Sequence, residues 1–254
     1  MSIIYGPVPS WRLGRSLGID MISTHCKTCS FDCVYCQLGN TVNRQASRRN
    51  FVSIKQLKQE LQRLQGIQAD TATFSGVGEP TLAENLGEAI LAVRAALSLP
   101  IAVLTNSSLI HDQHVQQALA YADIVVAKLD APDDNMLHQI NRPVSSCTLD
   151  VIVGGIKSFR SIFGGKLSMQ IMFIEANRGR AHDLAEIVAA FNPDEVQLNT
   201  PLRPCGVKPL NQAQMVEISK RFSGFKHVVT AYSAIRPDVV PIDSMQTGRR
   251  RPSE

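Results

Sequence analysis

No stretch of this chain approaches the about 18 consecutive uncharged apolar residues that a membrane helix needs, so nothing in it is expected to span a membrane. The start, Met1-Ser-Ile-Ile-Tyr-Gly-Pro7, lacks the basic segment and apolar core of a secretory signal peptide. No internal repeat or low-complexity tract stands out. Charge of neither sign dominates: 26 Lys and Arg against 22 Asp and Glu leave a modest formal net charge of +4. The six cysteines do not form the even, spread-out framework of a disulfide-stapled secreted domain; four crowd between positions 26 and 36. That usage fits a reducing, cytoplasmic setting. At 254 residues the chain has room for one large α/β domain or two small ones.

What is present centres on the run Cys29-Ser-Phe-Asp-Cys33-Val-Tyr-Cys36. Three thiolates at this spacing can hold three irons of a [4Fe–4S] cluster, leaving the fourth iron open to bind a substrate or cofactor. The competing reading is zinc, which usually takes four N/S ligands in paired knuckles. Cys26, His25, Cys147 and Cys205 are the candidates for a fourth ligand, and none makes a second knuckle. Cys26 lies too close to Cys29 for an independent site and reads as incidental. Cys147 reads as a small buried hydrophobe. Cys205, in Arg203-Pro-Cys-Gly206, is either a loop residue or a thiol that donates a hydrogen atom or captures a substrate.

Short β-rich runs alternate with amphipathic segments. Strands are expected at Ser16–Ile22, Thr71–Ser75, Ile101–Thr105, Asp123–Lys128, Leu167–Ile174, Glu195–Asn199 and Lys226–Thr230. Helices are expected at Ser53–Leu64, which opens on a Ser53/Gln56 capping box, and at Leu82–Leu97, Asp112–Tyr121, Asp134–Ile140, Thr148–Phe163, Arg180–Phe191 and Gln212–Phe222. Such alternation means βαβ units and a parallel sheet. Polar residues recur where strands end: Glu79, Asn106, Lys128 with Asp130, Glu175 and Asn199, while the first strand runs into the cysteines. One polar group per strand end suits a barrel-like site better than an open doubly wound sheet. The expected fold is α/β, a partial TIM-like (β/α) barrel of seven strands or fewer over residues 1–235, with a cluster loop at 24–40 and a flexible basic tail at 236–254. Pro201–Pro209 reads as an ordered loop over the site.

Three further strings bear on chemistry. In Ser75-Gly-Val-Gly-Glu-Pro-Thr81, Gly76 and Gly78 allow close backbone approach, and Glu79 can accept hydrogen bonds from an ammonium group; the plainer reading is a tight turn before a helix. Asn106, in Leu104-Thr-Asn-Ser-Ser-Leu109, is either a ligand contact or a cap. In Lys128-Leu-Asp-Ala-Pro132, Lys128 and Asp130 contact a ligand or pair with each other, since a lone charge there is costly. Two basic groups, Arg44/Arg48/Arg49 and Arg249–Arg251, are solvated surface or phosphate-attracting. The first lies just past the cysteine loop, where it could guide a phosphate-bearing substrate, and the second lies beyond the last expected element and is expected to be mobile.

The three-cysteine pattern, with Tyr35 just before the last cysteine, resembles the radical S-adenosylmethionine (SAM) superfamily. The Ser75–Thr81 string resembles that superfamily's "GGEP" motif and Leu104–Leu109 its Thr-Asn-Gly segment. The resemblance implies a six-strand partial barrel, a cluster on Cys29, Cys33 and Cys36, and SAM on the open iron. It implies SAM contacts from Tyr35, Gly76, Gly78, Glu79, Asn106, Lys128, Glu175 and Asn199, with Lys128, Asp130 and Cys205 as candidates for catalysis. It further implies reductive cleavage of SAM, hydrogen abstraction from an unidentified substrate, and an electron donor such as flavodoxin or ferredoxin. Tyr5–Ile19, Lys128–Pro132, Asn141–Pro143 and Gln197–Pro201 are similar to archaeal wyosine-tRNA synthetase and its small relatives, over residues 5 to about 204. The chain lacks that enzyme's additional leading cysteines and is short, so a different substrate is expected, with tRNA modification as the runner-up. A glycyl-radical activase and a non-catalytic iron–sulfur or zinc redox sensor are the readings from other classes.

Overall fold

A computed structural model describes residues 2–64, 66–144, 146–233 and 236–252. One eight-stranded sheet dominates it. Its strands are β1 (Ile4–Ser10), β2 (Gly14–Ile19), β5 (Thr71–Phe74), β6 (Ile101–Thr105), β7 (Ile124–Lys128), β8 (Lys166–Met172), β9 (Glu195–Asn199) and β10 (Val228–Thr230), in the spatial order β1-β2-β5-β6-β7-β8-β9-β10. All neighbours from β2 onward are parallel, and β1 pairs antiparallel with β2. A separate parallel ladder joins β3 (Thr28–Cys29) to β4 (Asn43–Arg44). The helices are α1 (Ile54–Gln62), α2 (Leu86–Ala96), α3 (Gln113–Leu119), α4 (Asp134–Ile140), α5 (Leu149–Ile162), α6 (Ala181–Ala189), α7 (Gln212–Lys220) and α8 (Ser244–Arg250). Six β/α units in sequence, from β2/α1 to β9/α7, make the expected partial barrel. No helix among the described residues is long and apolar enough to cross a membrane.

The parallel strands are short and apolar because both faces are covered in part. Ala72, Phe74, Ile101, Val103, Val125, Ala127, Leu167, Met169, Ile171, Val196 and Leu198 are buried, in one core with the apolar stripes of the helices. Alternate positions face the concave side and carry the polar set, as the two-residue period of a strand requires: Thr73 and Ser75, Leu104 and Asn106, Val126 and Lys128, Gln170 and Met172 all line one cavity. The Ser53/Gln56 capping box forms as expected, and Asn211 with Gln214 makes a second one at α7.

Two parts depart from expectation. β2 matches the expected first strand, but β1 is not among the expected strands, because Pro7, Pro9 and the register shift between Tyr5 and Val8 break up its alternation. The segment expected to be a mobile tail instead forms α8 and docks on β1. Ile242 donates its backbone N–H to Gly6 O (2.6 Å), and Gly6 N–H donates to Thr247 Oγ1 (3.0 Å). Since β10 and β1 are opposite edges of the sheet, the chain after β10 crosses the open side of the half-barrel to reach that seat.

Candidate active site

The cysteine loop hangs from the end of β2 and is held on both flanks. On one side Thr28 N–H donates to Val77 O (3.1 Å) and Glu79 N–H donates to Thr28 O (3.3 Å). A Cβ on Gly78 would stand 1.6 Å from Thr28 O, and one on Gly76 2.1 Å from the Asp20 carboxyl carbon, so the two glycines admit the cysteine loop and Asp20. On the other side Asp32 N–H donates to Asn141 O (3.0 Å) and Val34 N–H to Ile140 O (2.9 Å), at the end of α4. Within the loop Cys36 N–H donates to Cys33 O (3.0 Å), and Lys27 Nζ donates to Gly39 O (2.9 Å).

This places Cys29, Cys33 and Cys36 around one cavity of about 350 Å³, together with Tyr35, Gly76, Gly78, Glu79, Asn106, Lys128 and Asn199. Two of the sulfurs meet side-chain amides: Asn106 Nδ2 is 3.5 Å from Cys29 Sγ, and Asn141 Nδ2 is 3.5 Å from Cys33 Sγ. Burial pushes the Cys29 thiol up to about 12, with Glu79 and Cys33 adding to it, and burial likewise raises Cys33. Both are therefore neutral thiols until a metal draws off the proton. Among the described residues no three Cys, His, Asp or Glu side chains converge on a single ion. Three thiols spread round one cavity, two with amide N–H groups at sulfur, fit a cluster in which each thiolate holds its own iron.

Glu79 is buried at 2% exposure, capping the short 3-10 turn Pro80–Leu82. Its Oε1 accepts from Thr81 N–H (3.1 Å), Thr81 Oγ1 (2.7 Å) and Thr105 Oγ1 (2.7 Å), while Oε2 accepts only from Asn106 N–H (2.7 Å). Burial raises its pKa in spite of these donors. Oε2 retains acceptor capacity toward the cavity.

Lys128 and Asp130 pair with each other, Nζ to Oδ2 at 3.2 Å, and Lys128 lies 4.5 Å from the centre of the Tyr35 ring. Asp130 also accepts from Tyr35 OH, Asn141 Nδ2 (2.8 Å) and Met172 N–H (2.7 Å). Its own burial and the Asp130 charge raise Tyr35 well above its ordinary value, keeping it a donor. Asp130 does not line the cavity. It is the hub that fixes Tyr35, Lys128 and Asn141, and the Lys128–Asp130 pairing is the one of the two readings that is formed here.

Two expected site residues lie elsewhere. Glu175, three residues past the end of β8, has a side chain 71% exposed and pairs with Arg178 at 2.8 Å. The chain bends there because Asn177 Oδ1 accepts from Ile174 N–H (2.8 Å) and its Nδ2 donates to Met172 O (2.9 Å). Gln170 and Met172 face the cavity in its place. Cys205 packs beside Ile140, Met172 and Ile174, its thiol donating to Val207 O (3.2 Å), and does not line the cavity. Nor do the arginines after the cysteine loop: Arg44 donates to Arg142 O and Pro143 O, and Arg48 to Thr81 O (2.9 Å) and Ala83 O (3.2 Å). These contacts brace the loop. Cys147 is buried as expected.

Sequence reasoning missed a basic set in the same cavity: Lys27, Arg12, Arg203, Arg236, Arg250 and Arg251. Arg250 is buried at 5% exposure, with Nε on Asp20 Oδ2 at 2.8 Å and Nη2 donating to Ser2 O (2.6 Å) and Ser23 Oγ (3.1 Å). The only available signal was the Arg249–Arg251 run, which reads as solvated without the β1 docking.

The family model for the radical SAM superfamily matches residues 23–188. A UPF0026 protein of Synechocystis sp. is 41% identical over 210 residues, which cover 82% of this chain and 78% of the relative. A UPF0026 protein of Methanocaldococcus jannaschii is 37% identical over 236 residues, 90% of this chain and 73% of the relative. Among solved structures, Streptococcus suis SuiB bound to S-adenosylmethionine shares the fold, with a TM-score of 0.61 at 16% identity over 81% of this chain and 48% of that one. The superfamily model spans the strands that carry the cysteines, Glu79, Asn106 and Lys128, and both relatives align over most of their length, so this chain belongs to the radical SAM superfamily and, within it, to the UPF0026 proteins.

Proposed function

We propose that the protein reductively cleaves SAM at a [4Fe–4S] cluster held by Cys29, Cys33 and Cys36 and uses the resulting 5′-deoxyadenosyl radical to take hydrogen from a substrate. The observation that carries this is the trio of thiols on one cavity with amides at two sulfurs, beside a strand-end carboxylate. The cluster and SAM supply the electron transfer and the radical; the chain supplies position and exclusion of water. Asn106 and Asn141 donate toward sulfur, which tunes the potential of a bound cluster. Glu79 Oε2 is the acceptor offered to the SAM ammonium group, and Thr81, Thr105 and Asn106 hold it there. Lys128, fixed between Asp130 and Tyr35, presents its ammonium group to the cavity. Asn199 and Gln170 are the remaining polar groups on the strand ends. Leu104, Val126 and Met172 line the same interior with apolar surface and keep water from it.

Anaerobic reconstitution tests the reading. The protein should take up about four irons per chain, as one [4Fe–4S] cluster requires, and its reduced EPR signal should change on adding SAM. Dithionite, standing in for a flavodoxin or ferredoxin, should release 5′-deoxyadenosine. Alanine at Cys29, Cys33 or Cys36 should abolish the cluster, and alanine at Cys26 or Cys147 should leave it. A full cluster in Cys33→Ala would overturn the assignment.

A further inference from the structure

Four arginines from four distant parts of the chain face the cavity, and among the described residues none meets a carboxylate. Arg12 comes from the β1–β2 turn, Arg203 from the loop after β9, Arg236 from the segment crossing the open side, and Arg251 from the end of α8. Among the described residues none of the four has an ion-pair partner, and the Arg12 Nε and Arg203 Nη1 groups are buried without any hydrogen-bond partner. The carboxylate that acts on Arg12, Glu195, is already bound to Lys166 at 2.8 Å. Buried guanidinium N–H groups without acceptors are costly, and four like charges add repulsion. Other arginines show the ordinary solution: Arg250 has Asp20, Arg15 has Asp70 and Arg94 has Asp123.

We propose that Arg12, Arg203, Arg236 and Arg251 bind the phosphoryl group of a small-molecule substrate, an inference that rests on the radical SAM reading only for the chemistry carried out beside it. A guanidinium fork matches phosphate oxygens two at a time. A phosphate ester also brings about two negative charges near neutral pH, where a carboxylate brings one, and so offsets more of the set. Arg203 lines the same cavity as Cys36. Burial, then repulsion from Arg251, pushes both the Arg12 and the Arg203 guanidinium down to about 10, still cationic at neutral pH and ready for an anion. Three of the four are partly buried and only Arg236 is exposed, which suits a ligand entering the cavity better than a nucleic-acid backbone lying across its mouth.

The test is calorimetric titration of the reconstituted protein with inorganic phosphate and pyrophosphate, with thermal shifts recorded in parallel. Saturable binding and a rise in Tm with ligand are expected. Arg12→Gln and Arg203→Gln should each weaken binding by about tenfold, the scale of one hydrogen bond to a charged group. Arg236→Gln, an exposed change that leaves the fold alone, should weaken it less but measurably. Arg94→Gln, outside the cavity, should leave it as it was. Iron content and the SAM-dependent EPR change, measured on the same samples, report on the cofactor reading separately. The inference is overturned if phosphate does not saturate or if the cavity variants bind as wild type does. It is also overturned if citrate outcompetes pyrophosphate, if SAM displaces phosphate and so claims the arginines for itself, or if single-stranded RNA displaces it with a steep salt dependence.

Discussion

Two groups of polar side chains, one packed around the cysteines and one lining the far side of the cavity, are treated in opposite ways. Around the cysteines, Glu79 has four hydrogen bonds, Asp130 has three and an ion pair, and Asn141 reaches three partners. Across the open side, Arg12, Arg203, Arg236 and Arg251 have no ion pair among the described residues. The first group is preorganised, so it can hold a bound cofactor without rearrangement. The second is complete only with an occupant. The division runs between adjacent residues: Arg250 is closed in a buried pair with Asp20, and Arg251 faces the cavity unpaired.

Breaking that pair should produce the largest effect. Arg250 and Asp20 side chains are 0% and 1% exposed, and removing one partner strands the other charge. Arg250→Ala is expected to cost about 3–5 kcal/mol in urea unfolding. Truncation after Gly248 should do the same, contrary to what a mobile tail implies. Arg251→Gln should stay within about 0.5 kcal/mol. Equal losses at both positions would erase the distinction between them.

The next effect tests the preorganised side. Glu79→Gln keeps the shape of the side chain and removes its charge. SAM binding, followed by calorimetry, should weaken by about 1.5–3 kcal/mol, the scale of a hydrogen bond to a charged group. Unchanged SAM affinity would make Glu79 a brace for the Thr81 and Thr105 loops and nothing more.

The smallest effect concerns stability on the arginine side without phosphate. Burial lowers Arg12 and Arg203 to about 10 in the fold, below their ordinary range, so the folded chain binds fewer protons than the unfolded one as pH rises through 10. Their charges thus oppose folding at neutral pH, and that opposition fades toward alkaline pH. The double variant Arg12→Gln/Arg203→Gln should be at least as stable as wild type at neutral pH, with any advantage shrinking as pH rises. A clear loss of stability in phosphate-free buffer would show that these arginines already have structural partners.

Much of the site was legible because it is local. The cysteine spacing is contained in one short loop, the Ser75–Thr81 string and Asn106 lie within a few residues of strand ends, and a strand end points its next residues into a half-barrel whatever the distant contacts. Glu175 lies at the surface because one buried side chain, Asn177, turns the chain away just after β8. Asp130 was ambiguous for a related reason. A carboxylate at a strand end looks the same in sequence whether it faces a ligand or accepts from Tyr35 and Asn141, more than 90 and about 10 residues away.

The order of strands and helices, the parallel sheet and the cysteine site follow from hydrophobic periodicity and short motifs, which act over a few residues of chain. The arginine cluster follows from none of these. Arg12 and Arg251 are separated by nearly the whole chain, and what unites them is the crossing of the open side and the docking of α8 on β1. Whether Arg250 or Arg251 was the buried partner of Asp20 was likewise settled only when α8 turned one of them inward, because burial, unlike charge, is a property of the packed molecule.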